Sequence, residues 1–258
     1  MIKAIYQPQG VSSHMLARDF GKSCGEKATH TGTLDPMAEG VMIILTGDDR
    51  FKKQDLSDVK KTYQFEILWG VNTDSLDLLG LITDQDLNIV NNKFQEIENL
   101  EKYLGKYLGE LNQKLPKFSA KRVKGESAFD LAKRNEEMED HFREVEIFET
   151  NVLSLDQIKA TDLKESIIKR VNNVKGDFRQ DKILVGWKRF FKSLIKENKV
   201  KGSEDIFYIS KCEVTASKRT YIRALVRDLA EDLGIPATVH SILRTKNGQY
   251  GVEDCTDL

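Results

Sequence analysis

His30-Thr31-Gly32-Thr33-Leu34-Asp35-Pro36-Met37-Ala38-Glu39-Gly40 runs straight into the apolar Val41-Met42-Ile43-Ile44-Leu45. Gly32 and Gly40 bracket the stretch, and glycine adopts backbone conformations that a Cβ forbids. Pro36 biases Asp35 away from helix toward an extended backbone. A carboxylate therefore sits at a stiff point of a loop, directly ahead of a buried strand. Loops braced in this way by a rigid scaffold are where binding and catalysis concentrate. On residue types alone, Asp35 is equally suited to an Asx turn that caps its own backbone.

The totals set the limits. With 258 residues, 40% hydrophobic and 31% charged, the chain suits one large or two small soluble domains. No apolar run approaches the roughly 18 residues of a membrane span. Met1 to Tyr6 has no signal-peptide core or cleavage site, and the N-terminus is not an Arg- and Ser-rich transit peptide. Cys24, Cys212 and Cys255 are odd in number and form no CxxC pair, which disfavours a disulfide framework or structural zinc and suits a reducing cytoplasm. His14, His30, His141 and His240 show no metal-ligand spacing,. The net charge of −1 does not speak for or against nucleic acid, because an average hides local patches.

Along the chain, Ser12 or Ser13 suits the N-cap of a helix over Met15, Leu16 and Phe20. Lys60 to Gly70 alternates as a strand, with Tyr63, Phe65, Ile67 and Trp69 on one face. The aspartates of Asn72-Thr73-Asp74-Ser75-Leu76-Asp77-Leu78-Leu79-Gly80 read as turn formers. Val90, Phe94, Ile97, Leu100 and Leu104 recur at helical spacing, which predicts one core-facing helix from Asn88 to about Gly105. Leu115 to Gly125 is rich in Lys and Arg, 127–134 suits a short helix, and Arg143 to Val152 another strand. Lys182 to Asn198 is amphipathic, with Leu184, Trp187, Phe191, Leu194 and Ile195 on one stripe and Lys188, Lys192 and Lys196 off it, free to face RNA. Strand signals return from Ile206 to Ala216. A helix over Ile222 to Leu233 then ends at Gly234, a natural C′ glycine.

His30 to Gly40 closely resembles the HTGTLDP-x-A-x-G signature of the TruB family, the tRNA pseudouridine-55 synthases. Further segments are similar to family motifs: Gln7 to Ser13 to K-P-x-G-x-[TS]-S, Lys61-Thr62-Tyr63 to K-x-Y, and Thr73 to Gly80 to T-D-T-x-D-x-x-G. Pro116 to Gly125 resembles P-x-[YF]-S-A-x-K-x-x-G, and Ser217 to Arg223 resembles S-x-G-T-Y-I-R. Ala237 to Thr245 is similar to A-x-[VL]-x-x-L-R-R-T. The resemblance implies that Asp35 is the catalytic carboxylate and that Arg223 pairs with it. It implies that Tyr63 packs on the target base and is a candidate general base, and that His30 stacks in the space the flipped base leaves. By the same motifs Thr31, Lys61, Lys121, Lys218 and Tyr221 border the RNA, and Leu243 lines the base pocket. Four positions depart from the family: Gln7 replaces a basic residue, Thr29 and Arg219 each replace a glycine, and only Arg244 of the arginine pair remains, with Ile242 preceding Leu243.

The implied fold is α/β (α+β), the pseudouridine synthase fold: a mixed, largely antiparallel sheet flanked by helices. Residues 1–155 and 206–258 form the catalytic domain, 156–205 is an inserted helical segment, and no C-terminal RNA-binding PUA domain is evident. The implied substrate is the T-arm stem-loop of tRNA, handled by a cytoplasmic monomer with no membrane partner. Turning uridine into pseudouridine breaks N1–C1′, rotates the uracil and joins C5 to C1′. That reaction is redox-neutral and requires no cofactor or metal, but it does require a positioned carboxylate shielded from water. The uridine must first leave its stack, at a cost of a few kcal/mol. Two alternatives are a subunit of the family's guide-RNA-dependent branch and a non-catalytic RNA-binding or chaperone module. Keeping Asp35, Tyr63 and Arg223 together argues against the latter.

Overall fold

The apolar run after Asp35 becomes the second strand from one edge of a large sheet. The structure, a computed structural model, describes residues 1–119, 122–123, 125–134, 136, 139–197 and 206–256. In chain order its elements are β1 (Ile2–Gln7), α1 (Ser13–Ser23), β2 (Ala28–Thr31), β3 (Ala38–Thr46), α2 (Lys53–Ser57), β4 (Lys61–Trp69), β5 (Val71–Thr73) and β6 (Ile82–Gln85). They continue with α3 (Leu87–Asn92), α4 (Phe94–Glu98), α5 (Leu100–Leu104), β7 (Gly109–Lys114), β8 (Arg122–Val123), β9 (Glu126–Ser127), α6 (Ala128–Lys133) and β10 (Phe142–Lys159). After these come α7 (Ala160–Asn173), α8 (Gln180–Glu197), β11 (Ile206–Ala216), α9 (Ile222–Leu233), β12 (Ala237–Asn247) and β13 (Tyr250–Gly251).

The main sheet runs β1-β3-β12-β4-β11-β10-β7, with β2 also paired to β3 and β13 to β12. Among the described residues only β3 with β12 is parallel within it; the other pairs are antiparallel, as the resemblance implies. Because side chains alternate along a strand, Phe65, Ile67 and Trp69 of β4 face a core shared with α1, α9 and α3 to α5. Leu68 faces the opposite side, where Trp187, Phe190 and Phe191 of α8 and Leu163, Ile167 and Val171 of α7 pack on Phe207 and Ile209. The stripe of α8 is thus completed by Ile183 and Phe190, while Lys188, Arg189 and Lys192 are exposed.

The predicted helix over 88–105 is instead three short ones, α3, α4 and α5, broken at Lys93 and Asn99. At the first break Lys93 makes a long-range contact. Its ammonium caps the Leu233 carbonyl at the C-terminus of α9, just before Gly234 turns left-handed at φ +62°,. The strand predicted over Arg143 to Val152 is longer, reaching Lys159. Lys159 lies opposite Ile206 in the β10–β11 register. A hairpin tip that a two-residue turn can close therefore carries 160–205, and the helical excursion begins four residues later than 156.

Candidate active site

Three adjacent strands assemble the site. Ile242 of β12 lies opposite Ala38 of β3 and Phe65 of β4, and Arg244 lies opposite Gly40 and Tyr63. The loop ahead of β3, the middle of β12 and the start of β4 therefore share one end of the sheet. Gly40 has φ +118°, and a Cβ there would stand 2.3 Å from the Arg244 carbonyl oxygen, so only glycine permits this close pairing. The loop is braced from three sides. Leu34 N–H donates to Ser13 Oγ (3.0 Å), Gly10 N–H to the Pro36 carbonyl (2.9 Å) and Ala38 N–H to the Asp35 carbonyl (2.9 Å). Ser12 is the cap of α1, accepting from Met15 N–H.

Arg223, in the first turn of α9, meets Asp35 in a two-point pair, Nε to Oδ2 and Nη2 to Oδ1, both 2.8 Å. The same guanidinium donates to the carbonyls of Ser75 (2.7 Å) and Phe118 (2.9 Å), and the Asp77 carboxylate lies 3.6 Å away. Arg223 is 3% exposed and Asp35 26%, so the cation is buried and the carboxylate opens into the cleft. A planar fork held at four points fixes the direction of its carboxylate partner. Burial pushes the Arg223 guanidinium down, but Asp35 and Asp77 outweigh it and hold its pKa above the ordinary value. Burial pushes the Asp77 carboxyl up, opposed by Arg223 and the Ser75 hydroxyl. At the start of α9, Gln113 clamps Tyr221, accepting from its N–H (2.8 Å) and donating to its carbonyl (3.1 Å).

Asp35 stands in the wall of a cleft of about 880 Å³. Tyr63, Tyr221, Ile222 and Ile242 line it, together with Arg50, Lys53, Lys61, Arg143, Lys218, Arg219 and Arg244; among the described residues that line it, Asp35 is the sole carboxylate. Phe51 also lines it, 81% exposed, with the Arg50 guanidinium 5.8 Å from its ring centre. A second cavity, about 310 Å³, also reaches Asp35 and is lined in part by His30, Asp77, Phe118, Phe178, Arg179 and Arg223.

A family model described as TruB family pseudouridylate synthase (N terminal domain) matches residues 21–173. The chain belongs to the TruB family. Proteins named tRNA pseudouridine synthase B are similar to it over nearly its whole length. The one from Oceanobacillus iheyensis is 29% identical over 96% of this chain and 66% of its own length. The one from Caldanaerobacter subterraneus is 28% identical over 98% of this chain and 71% of its own. The chain thus spans about two thirds of these relatives. Two solved structures share the fold. A Cbf5-Nop10-Gar1 complex aligns at 17% identity and TM-score 0.54, covering 97% of this chain and 49% of that one. An H/ACA RNP bound to a substrate RNA containing 2'-deoxyuridine aligns at 16% and 0.53, covering 97% and 48%.

Several residues picked out by the TruB motifs meet at the cleft: Asp35, Tyr63, Lys61, Lys218 and Tyr221 line it, and Arg223 stands behind Asp35. Lys61 is almost wholly buried and donates to the carbonyls of Ser57 and Val59, both at 2.7 Å. Burial, then the charge of Arg244, pushes its amine down to about 8. Lys218 pairs with Asp58. His30, half-buried in β2, borders the second cavity; burial, then Lys53, Arg244 and His14, pushes its imidazole down to about 4, leaving it neutral. Thr29 fits despite replacing glycine because it pairs with Leu45 in regular strand, a conformation that suits a β-branched residue,. Arg219 keeps the backbone expected of glycine, at φ +67°.

Other assignments need correction. Thr31 is fully buried, its hydroxyl near the Asn247 amide (3.4 Å), and lines neither cavity. Ile242, not Leu243, faces the cleft, because Ile242 and Arg244 share one face of β12 and Leu243 the other. Asp74 and Asp77 do more than form turns: Asp77 is buried beside Arg223, and Asp74 pairs with Arg179. Lys121 lies outside the described residues. Arg50, Lys53 and Arg143 were missed, although the run Arg50-Phe51-Lys52-Lys53 carries the basic, aromatic signature of a nucleic-acid surface,.

Proposed function

We propose that this chain isomerises uridine to pseudouridine in tRNA, at position 55 of the T-arm, with Asp35 as the attacking carboxylate. Its main support is the Asp35–Arg223 pair: a carboxylate aimed by a buried, four-point arginine into a cleft whose other charged lining groups are all cationic. Phosphates of the T-arm would meet those cations, and the exposed ring of Phe51 offers a stacking surface beside them,. The extruded uracil would lie between Tyr63 and Ile242, with His30, neutral and apolar-faced, filling the vacated stack. Asp35 then holds the fragment while N1–C1′ breaks, the uracil turns and C5 bonds to C1′; the C5 proton leaves through Tyr63 or solvent. Nothing is oxidised or reduced. The protein works as a monomer in the cytoplasm, its three cysteines free; among the described residues no helix is long and apolar enough to cross a membrane.

Tritium release from C5-labelled uridine in a T-arm transcript, with no second RNA present, tests this. Release that disappears when the position-55 uridine is replaced by cytidine is the expected result. Release that requires an added guide RNA would favour the guide-dependent branch, and tight binding without release would favour a non-catalytic module.

A further inference from the structure

The excursion 160–205 sits at the tip of the β10–β11 hairpin, yet its interhelix segment reaches the catalytic end of the sheet. Lys175 N–H donates to the Gly10 carbonyl (3.0 Å). Gly10 has φ +87°, and a Cβ there would stand 2.2 Å from the Asn173 carbonyl oxygen, so the approach depends on glycine. Three and four residues on, Phe178 and Arg179 line the smaller cavity beside Asp35.

Arg179 makes two contacts there that bear on the catalytic pair. Its guanidinium forms a two-point pair with Asp74, Nη1 to Oδ2 at 3.0 Å and Nη2 to Oδ1 at 3.2 Å. It also lies over the Phe118 ring, 4.6 Å from the centroid. Asp74 adjoins Ser75, and the carbonyls of Ser75 and Phe118 are the two backbone acceptors that hold Arg223. One side chain thus touches both segments that aim the catalytic arginine. Asp74 is itself fixed, accepting from Leu81 N–H (2.8 Å). Arg179 is 12% exposed and adopts a left-handed backbone, φ +65°, a conformation a non-glycine residue keeps only where its surroundings enforce it.

We propose that Arg179 is a positioning residue: it clamps the Ser75 and Phe118 segments and so sets the orientation of Arg223 and Asp35. Arg179 belongs to the segment between α7 and α8, so the excursion supplies a brace for the active site. A two-point pair made while the same group lies flat on a ring uses a planar fork, which lysine lacks. The activity part of this proposal rests on the pseudouridine synthase reading; the geometric part does not.

The test follows the Arg223 Nε–H signal by NMR in ¹⁵N-arginine-labelled full-length chain, identified by its displacement in Asp35→Asn. In Arg179→Met and Arg179→Lys this proton should exchange with solvent at least tenfold faster than in the parent. The single-turnover rate on a T-arm transcript should fall about 10- to 100-fold, with RNA affinity held within threefold. Arg179→Lys retains the charge and protects against loss of folding. Exchange faster by less than threefold in a folded variant overturns the proposal. A parent that forms no pseudouridine defeats the functional reading, while the exchange rates still decide the role of Arg179.

Discussion

Replacing Arg223 with Met should destabilise the fold in a way that a second substitution repairs. The side chain is almost wholly buried and faces two carboxylates, Asp35 at 2.8 Å and Asp77 at 3.6 Å. Removing one partner of a buried ion pair costs about 3–5 kcal/mol, because the remaining charge is left uncompensated. That is a large share of the roughly 5–15 kcal/mol that holds a domain together. The unpaired charge that matters most is Asp77, since Asp35 still opens to the cleft. Asp77→Asn removes that charge and keeps an oxygen for the Ser75 hydroxyl (2.6 Å) and Leu79 N–H (2.9 Å). Adding it to Arg223→Met should therefore restore about 1–3 kcal/mol. Urea unfolding followed by the fluorescence of Trp69 and Trp187, both buried, reads these changes. A loss of about 4 kcal/mol lowers the midpoint by about 2 M at a slope of about 2 kcal/mol per M. A single variant within about 1 kcal/mol of the parent, or a double variant less stable than the single, would refute the buried-pair account.

Arg219→Gly should stabilise the fold by about 0.5–1 kcal/mol, since a left-handed residue costs about 1–2 kcal/mol and glycine's extra unfolded-state entropy offsets part of the gain. The same change removes one cleft cation, so tRNA binding should weaken and its salt dependence flatten; unchanged stability and salt slope would contradict both points. The His30 imidazole, near 4 when folded and about 6.5 when exposed, keeps its proton in the unfolded chain across that window. Its contribution is therefore present above pH 6.5 and lost as pH falls toward 4, by about 1–2 kcal/mol after allowance for solvent screening. His30→Asn should flatten the dependence of stability on pH between 4 and 6.5, and an unaltered profile would count against the neutral buried ring. Tyr63→Phe keeps the stacking face and should leave RNA affinity intact while turnover falls. Normal turnover would return Tyr63 to a packing role.

What could be read from the sequence was what local chemistry writes. Glycine and proline punctuation marks the Asp35 loop, alternation marks β4, and apolar spacing with Gly234 marks α9 and its end. What escaped depends on contacts distant in sequence. The helical pattern of 88–105 is broken at Lys93, whose ammonium caps Leu233, and no periodicity records that contact. An aspartate that turns the chain and one buried against an arginine look alike in sequence, which is why Asp77 was read as a turn former. Leu243 was chosen over Ile242 by a single residue, and in a strand one residue exchanges the cleft face for the other. The Arg179 clamp joins the excursion to loops more than fifty residues away in sequence, each of them ordinary when read alone.

The most direct test of the central claim is the single-turnover rate of tritium release from C5 of the position-55 uridine, compared between the parent and Asp35→Asn. The amide keeps the shape of the carboxylate but is a far weaker nucleophile. Release should fall at least about 1,000-fold, equivalent to about 4 kcal/mol of barrier, while tRNA affinity stays within a few-fold. Release within tenfold of the parent would contradict the assignment of Asp35 as the attacking group.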